Sequence, residues 1–212
     1  MLVDDRSTDL SYELAKAYER THPDRMKAIR LDEKKYAGGA RNAGIDYPAD
    51  CEYIYFLDGD DYLYAEDTLE LLHRDALAAG MPDMLLGSFA LDTDGRVWAV
   101  PPQEFRPDSD RLASSAWNSS SSKIQRASKV ERFLENCMRG EDTYQWLRML
   151  DKGATCAQVG YPLFAYRQHQ ASATHGPAFQ NDRPVFVKAL KDMLPGAKNR
   201  WVAASIKRRC GL

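Results

Sequence analysis

The sequence predicts an α/β fold, a mostly parallel sheet with helices packed on its faces. Strand-like apolar runs alternate with segments of helical spacing through the first 90 residues, the pattern of a parallel sheet joined by crossover helices. Aspartates follow directly on two of those runs, in "VDD" (Val3 to Asp5) and "FLDGDD" (Phe56 to Asp61). In open α/β sheets ligands bind beyond the carboxyl ends of the strands, so both clusters stand where a ligand site belongs.

"MLVDD" reads as the end of a strand, and Ser7, Thr8 or Asp9 can cap a helix that carries Leu10, Leu14, Ala17 and Tyr18 on one face. "MKAIRL" is a short strand, "DEKKYAGG" a polar loop, and "ARNAGI" a short helix whose entry Gly38 and Gly39 mark. "YIYFL" is the next strand. Leu69, Leu72 and Ala76 then fall at helical spacing before Gly80, a C-terminal cap. "DMLLGSFAL" and "RVWAV" flank "DTDG" as a hairpin. Pro101 to Ser122, with its prolines, charges and "SSSS", reads as a mobile loop. A helix follows in "EDTYQWLRMLDKG" with Gly153 as its stop, then strands in "ATCAQVG" and "LFAYR", then two helices broken at "LPG".

A chain of 212 residues suits one domain with an ample core, and 29 basic against 31 acidic residues leave a net charge of -2. No global field marks a nucleic-acid partner. Four scattered cysteines without a CxxC pair point to a reducing, cytoplasmic setting. No apolar run approaches the roughly 20 residues that cross a bilayer, and no signal-peptide pattern opens the chain.

Three segments carry candidate chemistry. Two carboxylates 4 Å apart repel by about 4 kcal/mol at an effective dielectric near 20, so convergence of Asp58, Asp60 and Asp61 would call for a hard cation such as Mg²⁺, which takes one or two carboxylates plus phosphate oxygens. An ordinary solvated turn accounts for the cluster equally well. Glu141 and Asp142 open a helix, where negative charge is favourable through the helix dipole, or where a general base stands. Arg167 and His169, two apart on a strand, share a side and reach a diphosphate or metal, or simply face solvent. An EF-hand is excluded because Tyr62 stands where an oxygen ligand is required, and "GGARNAGI" is neither a P-loop nor GxGxxG.

Taken together, "LVDDRSTD", "GGARNAGI", "YIYFLDGDD", "RGEDTYQWLRML" and "PLFAYRQH" resemble, in order and approximate spacing, the family 2 glycosyltransferases, inverting sugar transferases of the GT-A fold. The resemblance runs from about Leu2 to His169 and implies a transferase domain over residues 1–175 with a helical tail over 176–212. It implies that Asp5 contacts the nucleotide base, that Asp58 and Asp60 form the DXD signature at the ribose and the diphosphate-bound metal, with Asp61 beside them, and that Arg41 and Lys35 face the nucleotide phosphates. Asp142, with Glu141, corresponds to the catalytic base, and Arg167 and His169 to a segment near the diphosphate and metal. A UDP-sugar donor, Mn²⁺ or Mg²⁺, and a glycan or lipid-linked acceptor follow from the same likeness.

Relatives open with a further strand and helix, on the order of 30 to 40 residues, so the resemblance implies a fold truncated at its N-terminus. A catalytically inactive remnant that binds a nucleotide or a protein is the rival reading; a nucleotidyltransferase would need a glycine-rich phosphate loop near its start. The basic tail "KNRWVAASIKRRC" either touches the inner face of an anionic membrane or packs through Trp201 and Ile206 as a solvated flank.

Overall fold

The computed structural model describes residues 1–48, 50–102, 105, 119–169 and 181–212. In chain order the elements are β1 (Leu2–Asp4), α1 (Ser11–Thr21), β2 (Ala28–Arg30), α2 (Tyr36–Asp46), β3 (Tyr53–Tyr55), β4 (Tyr62–Leu63), α3 (Thr68–Ala78), β5 (Met84–Thr93), β6 (Arg96–Ala99), β7 (Lys123–Arg126), α4 (Glu141–Asp151), β8 (Cys156–Gln168), α5 (Arg183–Met193) and α6 (Arg200–Cys210). The class is α/β, as the alternation of periodicities requires. Parallel pairing holds for β1–β2 and for the long β5–β8 ladder, and β7, β6 and β4 add antiparallel strands beside β3, β5 and β8.

β5 explains the layering. Its first residues are buried without alternation, as a strand covered on both faces must be. Met84 and Leu86 turn to one side, into a core with Trp146, Leu147 and Leu150 of α4, Phe186 and Leu190 of α5, and Val202 and Ile206 of α6. Leu85 turns to the other, onto Leu72 and Ala76 of α3 with Val159, Leu163 and Phe164 of β8. α5 and α6 thus share a core with α4. The boundary drawn at residue 175 lies outside the described residues.

Turn chemistry fell where the sequence marked it. Asp94 and Gly95, both at positive φ (52° and 80°), form the two-residue hairpin between β5 and β6, since only residues tolerant of φ > 0 match the strand twist there. Gly80 and Gly153 end α3 and α4 in the left-handed region.

One expectation is corrected. Ser120, Ser121 and Ser122, read as part of a mobile loop, form a 3₁₀ turn that is fully buried and leads into β7. Serine is small enough to enter a core when its backbone is bonded locally, and the Ser122 amide donates to the Ser119 carbonyl at 3.2 Å. Most of the remaining stretch lies outside the described residues. The helix read after "RSTD" is α1, and among the described residues nothing buries the Leu10, Leu14 and Tyr18 row, which is exposed.

Candidate functional site

The carboxylate loop is held at both ends. Before it, Phe56 packs edge-on against Phe133, ring centroids 5.0 Å apart. After it, β4 pairs with β8, Tyr62 opposite Ala165 and Leu63 opposite Phe164, which brings the last residues of β8 alongside. The Arg167 amide donates to Asp61 at 3.1 Å, and His169 Nε2 lies 3.1 Å from Asp60 Oδ2. Burial, then the neighbouring Asp58 and Asp60, push the Asp61 carboxyl up to about 7 against the pull of that amide. The Arg167 guanidinium turns elsewhere, over the Tyr62 ring at 5.3 Å and toward Asp92 at 4.0 Å.

α2 supplies the centre. Gly38 lies so close to the Leu134 carbonyl that any β-carbon would overlap it. Asn42 clamps the same segment, donating to the Phe133 carbonyl at 3.0 Å and accepting from the Phe133 amide at 2.9 Å. Fixed in this way, α2 projects Arg41 between two acidic elements. Its guanidinium donates to Asp58 at 2.5 Å and to Glu141 at 2.8 Å and lies over the Phe133 ring at 5.4 Å. Burial disfavours the Arg41 charge, but Asp58 and Glu141 more than offset it, so the group is held firmly protonated. At the entry of α2 the Lys35 amide donates to Asp5 at 2.6 Å, an acidic group on free N–H at a helix start. The Lys35 ammonium stands 3.5 Å from Glu33.

Asp142 opens α4 beside Glu141, and the two differ in partners. Glu141 is bound by Arg41. Asp142 accepts the Thr143 amide at 2.7 Å, and burial followed by the Glu141 charge pushes it up to about 7, against Arg41 and Lys123. Lys123 is fully buried, donates to the Ser119 carbonyl at 2.5 Å and sits over the Trp146 ring at 5.6 Å. Burial brings its ammonium down to about 8, with Asp142 resisting. Arg209 of α6 is lowered by burial and supported by the same Asp142.

The family model for "Glycosyl transferase family 2" matches residues 1–140, about two thirds of the chain. The chain belongs to glycosyl transferase family 2. Its backbone is similar to Staphylococcus aureus TarS residues 1–349, with a TM-score of 0.68 at 19% identity over 98% of this chain and 60% of that one. It is also similar to the mannosyltransferase PcManGT from Pyrobaculum calidifontis, solved with GDP-Man and Mn²⁺, with a TM-score of 0.62 at 15% identity over 97% and 59%. These neighbours establish the GT-A fold, and the chain spans about 60% of their length. No curated protein matches.

Within this family 2 chain the predicted residues fall into two groups. Asp58, Asp60, Asp61, Arg41, His169 and the backbone of Arg167 meet at the loop, and Arg41 links it to Glu141, the neighbour of Asp142. Asp5 and Lys35 stand at the other end of α2's first turn. No three His, Cys, Asp or Glu side chains among the described residues are arranged to hold a metal by themselves. A Mg²⁺- or Mn²⁺-diphosphate needs fewer protein ligands. Asp58 is engaged by Arg41 and Asp60 faces His169, while burial first and the Asp58 and Asp60 charges after it disfavour the charged form of Asp61, a penalty that a cation arriving with phosphate would relieve, so the donor set fits such a cation.

Asn42, Phe133 and Lys123 escaped the sequence reading. Lys123 stood directly after "SSSS", which read as mobile loop, and the signal that would have found it is the apolar, β-branched Ile124 that makes "KIQ" a strand. No described helix is long and apolar enough to cross a membrane. Val202 and Ile206 bury the apolar face of α6 in the core, which accounts for the basic tail as a packed flank.

Proposed function

We propose that the chain forms the donor site and base of an inverting glycosyltransferase, moving a sugar from a nucleotide diphosphate, UDP-linked, to a hydroxyl of a glycan or lipid-linked acceptor. The observation that carries this reading is the buried Arg41 bridging Asp58 to Glu141, which ties the carboxylate loop to the helix start that holds Asp142.

In this reading Asp142 is the base. It takes the proton of the acceptor hydroxyl as that oxygen forms its bond to the anomeric carbon; the bond from that carbon to the diphosphate oxygen breaks on the opposite face, its electron pair leaves with the diphosphate, and configuration inverts. A carboxyl poised near 7 serves a base working at neutral pH. Arg41 and Glu141 hold the base's helix in register with the loop. Asp5 and Lys35 face the nucleotide, and His169 steadies Asp60 at the diphosphate end. A Mn²⁺ or Mg²⁺ bound at Asp58, Asp60 and Asp61 would supply Lewis-acid stabilisation of the leaving diphosphate.

An inactive nucleotide-binding remnant is the second reading, and one feature favours it: the cleft of about 1010 Å³ that runs from Asp58 back between β1 and β3, leaving the nucleotide side of the site open. Calorimetric titration of UDP, then GDP, with and without Mn²⁺, separates the two when repeated on Asp60→Asn. Metal-dependent binding of UDP that the variant loses supports the donor site. Binding of GDP alone overturns the UDP assignment, and binding of neither nucleotide overturns the enzyme reading.

A further inference from the structure

α6 runs back along α4 and brings its last turn to Asp142. The Asp151 carboxylate, at the end of α4, accepts the Lys198 and Asn199 amides at 2.8 Å each, and the Asn199 side chain reaches the Leu150 carbonyl at 3.5 Å. α6 therefore starts where α4 stops, and Val202 and Ile206 then pack with Trp146, Leu147 and Leu150 in one core. At about 1.5 Å per residue, Asp142 lies about 14 Å along α4 from Asp151, and Arg209 lies about 15 Å along α6 from Asn199. The antiparallel pair thus closes at Asp142 and Arg209. Val202, Ser205 and Ile206 are the buried residues of α6, and Arg209 continues their row at the spacing of three and four, whereas Lys207 and Arg208 are exposed. Of the basic run "KRR", Arg209 is the member turned toward α4, and Asp142 is the charge that supports it there.

β7 brings a second cation from the sheet. Lys123 and Gln125 are two apart and share a side of the strand. Gln125 accepts the Gln145 side-chain amide, and the Lys123 ammonium sits over the Trp146 ring at 5.6 Å. Gln145 and Trp146 stand three and four residues after Asp142 in α4, on the face that Asp142 opens. Lys123 is fully buried, so its field reaches Asp142 with little screening by water. The charges around the Asp142 carboxylate are then Glu141 of its own helix, Arg41 of α2, Lys123 of β7 and Arg209 of α6. Asp182, at the head of α5, takes the Met138 amide instead.

We propose that Lys123 and Arg209 are positioning residues for Asp142, two cations, one from the sheet and one from α6, that hold its carboxylate in its charged form and in place. The assignment rests on the reading of Asp142 as the base. A buried carboxyl with only Glu141 beside it would stay protonated at neutral pH and could accept no proton. Arg41 is committed to Asp58 and Glu141, so two further cations are needed to bring Asp142 back into working range. Their action is through the carboxylate, and α6 becomes part of the catalytic apparatus as well as of the core.

The test reads the Asp142 carboxyl itself, by ¹³C NMR of protein labelled at the aspartate side-chain carboxyls, with the resonance assigned by its loss in Asp142→Asn. In the unaltered chain it titrates at about 7. Lys123→Met keeps the stem and removes the charge, and it raises the midpoint by about one pH unit or more, as loss of a neighbouring opposite charge does. Arg209→Gln raises it by about half a unit, since a charge further off counts for less. Arg209→Lys leaves the midpoint in place, and so does Lys207→Gln, the same loss of charge on the exposed face. Where Lys123→Met does not fold, Arg209→Gln, at the partly exposed end of α6, carries the test. Midpoints that stay at the unaltered value in Lys123→Met and Arg209→Gln overturn the proposal. An equal rise in Lys207→Gln overturns it too, because the effect would be one of net charge. So does an Arg209→Lys chain that moves as far as Arg209→Gln, because the loss would be of packing. The readout needs no nucleotide: shifted midpoints in a chain that transfers no sugar would sink the transferase reading and leave the coupling to Asp142 standing.

Discussion

Asp142 and Glu141 are adjacent along the chain yet face different partners. Glu141 receives Arg41 at 2.8 Å, which ties it to the carboxylate loop. Asp142 makes no ion pair among the described residues, and its proton affinity rises to about 7. Only the deprotonated form can accept a proton, so transfer should climb with pH through about 7 and level off above it. Asp142→Asn keeps the shape and removes the base; we expect kcat to fall by about 10² to 10⁴-fold, the usual contribution of a positioned base, with UDP affinity unchanged. An equal loss of nucleotide binding in a titration would place Asp142 in the donor site instead. The acidic members of this site were legible in the sequence because carboxylates at a strand end and at a helix start are local patterns. Asn42 was not, because its meaning lies in Phe133, 91 positions away.

At the scale of elements, α2 decides whether the two halves of the site meet. The sequence marked Gly38 and Gly39 as the entry of this helix, whereas the helix begins at Tyr36 and both glycines lie within its first turn. Their purpose is close approach. A β-carbon on Gly38 meets the Leu134 backbone carbonyl, and one on Gly39 meets the Lys35 side chain. Backbone cannot give way as the end of a side chain can. Gly38→Ala should therefore cost about 1 to 3 kcal/mol through overpacking, despite alanine's better helix propensity, and Gly39→Ala less. Urea denaturation orders the two; a neutral Gly38→Ala would mean that α2 is free to shift away from the Leu134 segment. Periodicity made α2 and the other helices legible, but no local rule reveals a close backbone crossing. β7 was hidden for a related reason, since four residues after a serine run carry too little alternation to stand out.

The whole molecule carries the site as a stability cost that depends on pH. Asp142 and Asp61 are both raised from 3.8 to about 7 by burial first and neighbouring carboxylates second. Between those values the folded state keeps protons that the unfolded chain releases, so stability falls as pH rises. Lys123, lowered by burial from 10.5 to about 8, acts with the opposite sign. The unfolded chain holds the proton that the folded state gives up, and stability recovers as pH rises from about 8 toward 10.5. Glu19, held near 2 by Lys16 and Lys27, matters only below about 4.5. These groups together place a trough at pH 7 to 8, where a base and its neighbours must be poised to exchange protons. Urea midpoints measured across pH should show that trough, and Asp142→Asn, which cannot ionise, should make it shallower while abolishing transfer. A profile unchanged by the substitution would mean that Asp142 is solvated and ordinary in its proton affinity, and would remove the physical basis for assigning it the base.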